Sequence, residues 1–253
     1  LNGSNDGGSS ETFADVDQND DKEYAARVFA HPFGDSESFA LRGLGVGIAG
    51  TYTSQTGTTA QPLLPVLRTP AQSPLFRYRT GTTPTLADGE RTRLAPQLYY
   101  YVGRFGLLSE YTTVSQDVSR TTTAGRREDT LDTTAWQVQA SWFLTGEEES
   151  FRGFKPNNVF SLADNTWGAF ELVARYQELD PDDDAFVGGA ASIADPANAA
   201  RKATAYGLGL NWYLNENLKW VLNYDRTSFD GGAAGGADRE DEDVFLTRFA
   251  LGF

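Results

Sequence analysis

An all-β chain, built as a transmembrane antiparallel β-barrel, is the fold this sequence predicts, and three observations carry the prediction. Apolar and polar residues alternate over segments of roughly 10 residues, the length a tilted strand needs to cross a bilayer. Short and long connectors alternate along the chain, which gathers the long ones at one end, as in a membrane barrel and not in a soluble sandwich. No stretch approaches the roughly 20 consecutive apolar residues of a spanning helix, and mean hydropathy is only −0.44. A barrel tolerates that low mean, because only alternate residues meet lipid.

Nine alternating segments follow in order. They run Glu23 to Phe33, Leu41 to Gln55, Arg91 to Tyr101, Gly106 to Ser119 and Asp132 to Leu144. The last four are Trp167 to Glu178, Lys202 to Leu214, Leu218 to Phe229 and Asp243 to Phe253. The hairpin around Asn215-Glu216-Asn217 shows the pattern best. Tyr206, Leu208, Leu210, Trp212 and Leu214 share one face, and Leu218, Trp220, Leu222 and Tyr224 continue it. Lys219, Asn223 and Asp225 take the other face. Short connectors are Gly34 to Ala40, Val102 to Phe105 and Asn215 to Asn217. Long ones are Thr56 to Glu90, Arg120 to Leu131, Leu179 to Arg201 and Asp230 to Glu242. Thr145 to Thr166 is the exception, long where a short turn is expected. Helical periodicity is confined to a turn within Ala190 to Ala200.

The 253 residues contain no cysteine, which excludes disulfides and thiolate metal sites. Methionine is absent too, position 1 included, so the chain is expected to be a processed product or a fragment. The formal charge of −14 argues against nucleic acid as a partner, since phosphate binding needs clustered Lys and Arg. Much of the acid lies in blocks (Asp15 to Glu23, Glu147 to Glu149, Asp180 to Asp184, Asp238 to Asp243) that read as solvated loops.

The final strand ends on Phe253, with Leu251 and Phe249 at alternate positions before it, and resembles the insertion signal of bacterial outer-membrane barrels. Further stretches carry a family resemblance: "EYAARVFAHPF", "LRGLGVGIAGTY", "RLAPQLYYYVGRFGLLSEY", "SWFLTGEE", "GAFELVARYQELD", "GLNWYLNENLKWVLNYDRTSF" and "FLTRFALGF". Each is weak alone. In this order they resemble the phosphate-selective porin O and P family, over most strands from Glu23 onward. The resemblance implies a barrel of 16 strands in all, trimeric and conducting small anions, with the C-terminus in the periplasm. This chain then supplies the C-terminal nine strands, and residues 1–22 form an acidic extracellular loop or a truncated start before the barrel portion, residues 23–253. The family's constriction loop and its selectivity-setting lysines and arginines of earlier strands match no position of this chain. Few lysines and the acidic balance depart from the family's pattern.

Candidate sites follow from the alternation. Arg27, Arg93, Arg175, Lys219 and Arg248 point toward the lumen, with Glu110, Glu171 and Asp225. Rings of charged side chains commonly set channel selectivity. The structural alternative is that these acids and bases pair across strands and only stiffen the wall. Arg175 and Arg248, both mid-strand, are the strongest selectivity candidates.

"DVDQNDDKE" has carboxylates at alternate positions, as a calcium loop does, but Asp20 stands where the template needs Gly and Ala26 where it needs a ligand. A solvated loop is expected there, with loose divalent bridging to lipopolysaccharide phosphates as the alternative. His31 is the sole histidine, and no serine motif accompanies it, so an enzyme is not expected. The expected role is passive diffusion of small hydrophilic solutes, anions preferred, in contact with membrane lipid and lipopolysaccharide and without a cofactor. A plugged barrel anchoring an envelope layer or complex is the rival.

Overall fold

The computed structural model describes residues 21–151, 153 and 155–252. Its elements are β1 (Tyr24–Ala30), a helical turn (Phe39–Arg42), β2 (Leu44–Thr56), β3 (Leu67–Arg68), β4 (Pro74–Phe76), β5 (Thr85–Val102) and β6 (Phe105–Thr122). There follow β7 (Gly125–Phe143), β8 (Phe160–Ser161), β9 (Thr166–Trp167), β10 (Ala169–Asp180), β11 (Ala200–Tyr213), β12 (Leu218–Gly231) and β13 (Glu242–Leu251). Nine of the strands form one sheet in the order β1-β2-β5-β6-β7-β10-β11-β12-β13, and every pairing in it is antiparallel. These are the nine expected segments, each beside its chain neighbour, as an up-and-down barrel wall requires. Among the described residues no helix is long and apolar enough to cross a membrane.

The two faces of the sheet invert the arrangement of a soluble protein. Phe245 (80 % exposed), Tyr24 (70 %), Val28 (68 %) and Leu208 (58 %) all lie on the apolar face, uncovered. Trp212 and Trp220 sit opposite each other there, as do Leu210 and Leu222. An apolar patch of this extent in water is far beyond what soluble monomers show, and it fits lipid.

Aromatic rows bound the patch. Phe170, Trp212, Trp220 and Phe249 stack in sequence at 5.2–6.1 Å near the short turns. Six residues along β10, ~20 Å at 3.4 Å per residue, Tyr176 begins a second row with Trp136 and Tyr206. The tyrosines end this second row in water-side chemistry. Tyr52, Tyr176 and Tyr224 each donate their hydroxyl to a carboxylate, Glu90, Glu178 and Asp243, at 3.0, 3.2 and 2.6 Å. Such rings sit where an apolar layer meets a wet one.

The segment Arg120 to Leu131, read from sequence as a long loop, is almost entirely strand. β6 and β7 continue through Arg120 opposite Arg127 to a tight turn at Thr122–Gly125. The remaining long connectors fold back over the polar face. Residues 57–84 carry the β3–β4 hairpin, and residues 181–199 carry two turns of 3-10 helix. Together they bury Leu75, Phe76, Ala185, Phe186, Ile193 and Ala194 against Val118, Leu131, Ala203 and Phe229 of the sheet. This dry cap is the main apolar core of the described residues.

Candidate functional site

Cross-strand partners share a face, and so do alternate residues of one strand. By these rules the charged residues expected to line a lumen do lie together. Arg27 is opposite Ala49, Arg93 opposite Thr51, and Glu110 opposite Gln97 and Gln137. Arg175 is opposite Gln139 and Gly207, and Glu171 opposite Asn211. Asp225, Lys219 and Arg248 face Gly207, Tyr213 and Val221. All eight share the polar face on which the cap rests. Leu251 and Phe249 of the terminal pattern lie on the apolar face, with Phe249 opposite Trp220. Phe253, and residues Asp15 to Asp20 of the acidic segment, lie outside the described residues.

The eight differ in their partners. Arg175 donates to Asp225 at 3.1 Å, and the carboxylate is buried. Gly207 makes that pair fit, because a Cβ there would stand 2.4 Å from Asp225 Oδ1. Arg93 meets Glu23 at 3.3 Å. Glu110 accepts from the Gln97 amide at 2.9 Å, and Glu171 accepts from Asn211 and Tyr213 at 2.8 and 2.7 Å. Arg27 donates to Gln97 at 2.8 Å, and Lys219 stands over the Tyr213 ring at 5.3 Å. Neither has an acidic partner among the described residues, and Arg248 has none either. Cross-strand pairing thus accounts for Arg175, while Arg27 and Arg248, on the edge strands β1 and β13, have no acidic partner among the described residues.

Two groups of residues on this face escaped the sequence reading. Amides of Gln97 and Gln139 obey the same alternation as the charges and were legible from it. The second group is placed by contacts with the connectors, which no periodicity foretells. Arg120 is pinned among backbone carbonyls of the cap: it donates to Thr83 O (2.9 Å), Ala190 O (2.8 Å) and Ser192 O (2.6 Å). At the short-turn end, Glu149 and Phe151 of the 144–168 connector also lie on the polar face. Phe151 stacks on Phe29 at 5.3 Å and meets His31 and Tyr99 edge-on. Gly47 leaves the room, since a Cβ there would lie 2.7 Å from the Phe29 ring. His31 therefore belongs to an aromatic cluster. No group of three or more His, Asp or Glu converges as metal ligands do among the described residues.

A sheet with a lipid-compatible face, a polar face lined by Arg, Lys, Glu and amides, and connectors folded over that polar face has the parts of a channel wall. The family model for phosphate-selective porins O and P matches residues 7–253. Porin O of Pseudomonas aeruginosa is 31 % identical over 120 residues, which is 47 % of this chain and 26 % of that protein. The chain thus aligns with about a quarter of that relative's length. On this fold and this match, the chain belongs to the phosphate-selective porin O and P family of the bacterial outer membrane.

Proposed function

We propose that the chain forms part of a passive, non-catalytic channel for small hydrophilic solutes, with a preference for anions such as phosphate. The observation that carries the preference is an asymmetry on the polar face. Its acids are withdrawn: Asp225 and Glu171 are buried, and Glu110 is hydrogen-bonded. Its cations Arg27 and Arg248 lie on the edge strands β1 and β13 and have no acidic partner among the described residues. The net charge of −14 opposes this. Much of that acid lies in connectors near bulk water, where it is screened within about 8 Å at physiological salt. Charges inside a narrow lumen are screened less, so the lining outweighs the total.

Family membership supports a C-terminus on the periplasmic side, long connectors outside the cell and a homotrimeric assembly. Native mass measurement in detergent tests the trimer, and a clean monomer rejects it. For selectivity, Arg27→Glu combined with Arg248→Glu should move the reversal potential toward cations in planar bilayers under a salt gradient. A wild type that already prefers cations, or a double variant that matches it, sinks the anion reading. The cap favours a second reading, a plugged barrel that anchors an envelope layer or complex. Absence of any current from well-folded protein would select it.

A further inference from the structure

The 144–168 connector does not hang below the sheet. Glu149 donates its backbone N–H to Gly103 O at 2.7 Å, and Leu144 donates to Phe170 O at 2.8 Å. Thr145 Oγ1 and the Asn157 N–H both donate to the Glu147 carboxylate. From there the chain runs across the polar face to Phe151, seated among Phe29, His31 and Tyr99. Glu149 is received on the sheet by Ser141, whose Oγ donates to its carboxylate. Glu171 is the diagonal neighbour of Ser141 on the same face, since Ser141 is opposite Val173 and Glu171 opposite Phe143, so the two carboxyls face each other. Glu171 is itself buried and already accepts from Asn211 and Tyr213.

A carboxyl that meets another carboxyl can bond to it only if one of them keeps a proton. Two facing carboxylates repel, and here Glu171 is buried and Glu149 partly so. Among the described residues the surroundings offer little compensation. On the connector Glu147 adds a further acid. Tyr99 and Tyr101 come from β5, Tyr213 from β11, and Ser141 of β7 is neutral. Lys219 of β12 is engaged over the Tyr213 ring, and Arg104 lies against Gly146, two and three residues short of the pair. No salt bridge reaches Glu149 among the described residues.

We propose that residues 144–151 form a proton-held strap across the channel, seated while Glu149 keeps its proton against the facing Glu171 and released when Glu149 loses it, so that rising pH widens the pathway. The effect on the pathway rests on the porin reading, whereas the movement of the strap does not. Burial, and then the facing Glu171, push the Glu149 carboxyl up to about 7, against the opposing pull of the Ser141 hydroxyl. The seated form therefore holds a proton that a released, water-exposed carboxyl has lost above about 4.5. Seating is at full strength below that value, weakens by up to roughly tenfold per pH unit as pH rises toward 7, and levels off above it.

The test uses the full-length channel, with the absence of cysteine in this chain allowing a single label. A nitroxide placed through Glu148→Cys, an exposed strap position, reports mobility by electron paramagnetic resonance between pH 5 and 8. Single-channel current is recorded over the same range. The expected result is a mobile population and a current that both grow with pH. Both should become flat when Glu149→Gln supplies a permanently neutral partner for Glu171. A label whose mobility does not change with pH, or a Glu149→Gln channel that titrates like its parent, overturns the strap. A label that titrates in a protein passing no current at any pH upholds the strap and overturns the porin reading. A titrating label beside a pH-independent current rejects the gating.

Discussion

Two segments fold over the polar face of this sheet, one at each end, and they are held by opposite chemistry. The cap, residues 57–84 and 181–199, buries Phe76, Ile193, Ala194 and Ala199 almost completely and is tied down by a guanidinium whose acceptors are backbone carbonyls. The strap, residues 144–151, rests on a carboxyl pair, one serine and an aromatic ring. Apolar burial and arginine–carbonyl bonds do not titrate near neutrality. The proton of Glu149 does. On the proposed channel reading the cap is a fixed narrowing of the pathway and the strap the part that conditions alter, so that a solute would meet a constant element and a variable one in series.

The sharpest way to break this contrast is to loosen the cap. Arg120→Met keeps most of the side-chain volume but leaves three carbonyls, of Thr83, Ala190 and Ser192, without their donor. An unsatisfied buried acceptor costs about 1–3 kcal/mol, and of the three only Ser192 O is fully buried, so the local loss is on the order of 2–3 kcal/mol. Hydrogen exchange should show it at Ala194, whose N–H is bonded to Ala185 O at 2.8 Å. Protection there should fall by roughly 100-fold, while amides of the β10–β11 ladder remain as in the parent. Channel current should rise and become noisier at every pH. If protection in the cap is unchanged, Arg120 is not what holds it.

A smaller effect is expected at the strap. Phe151→Ala removes one stacked and two edge-on contacts, with Phe29, Tyr99 and His31. Aromatic pairs contribute about 0.5–1.5 kcal/mol each beyond burial, and Phe151 itself is half exposed, so roughly 1–2 kcal/mol is lost. The strap label should then become mobile about one pH unit lower than in the parent, with cap protection untouched. A parallel loss of cap protection would show that the two ends are coupled and would dissolve the contrast.

What the sequence made legible follows the same division. Each strand that crosses between the aromatic rows was readable, because lipid on one side and water on the other force period-2 alternation. Ladder residues beyond the rows were not. Arg126, Arg127, Glu128 and Asp129 are polar without a break, since both faces of the projecting β6–β7 hairpin meet polar surroundings. Their charges pair within and across strands, Arg126 with Asp88 and Glu128, Arg127 with Asp129. Loop composition and strand composition coincide there, and the pattern rule had nothing to act on. The cap and strap were invisible for a related reason. Phe76, Phe186, Glu149 and Phe151 stand on irregular backbone, so their destinations depend on the chain's path and not on any period. The charges that alternation assigns to a lining all share the polar face. It could not say that Arg175 is compensated, because Asp225 reaches it across the side-chain-free step at Gly207 on the strand between them.

That compensation gives the smallest effect, and it separates lining charge from lining structure. Asp225→Asn keeps the size of the side chain and an acceptor oxygen for Arg175, so the glycine step at Gly207 stays filled. It removes one buried negative charge and leaves the Arg175 guanidinium, a third exposed, uncompensated. Neither the cap nor the strap touches this pair, so the strap label and cap protection should both match the parent. Only the reversal potential should move, toward anions, and by less than the double charge reversal at Arg27 and Arg248 moves it toward cations. Nearby charges change selectivity through the local potential, and one unmasked guanidinium is a smaller change than two inversions. A shift toward cations would mean that Asp225 positions Arg175 more than it neutralises it. The loss of an ordered guanidinium would then outweigh the gain in net charge, and the pair, not Arg27 and Arg248, would be the selective element.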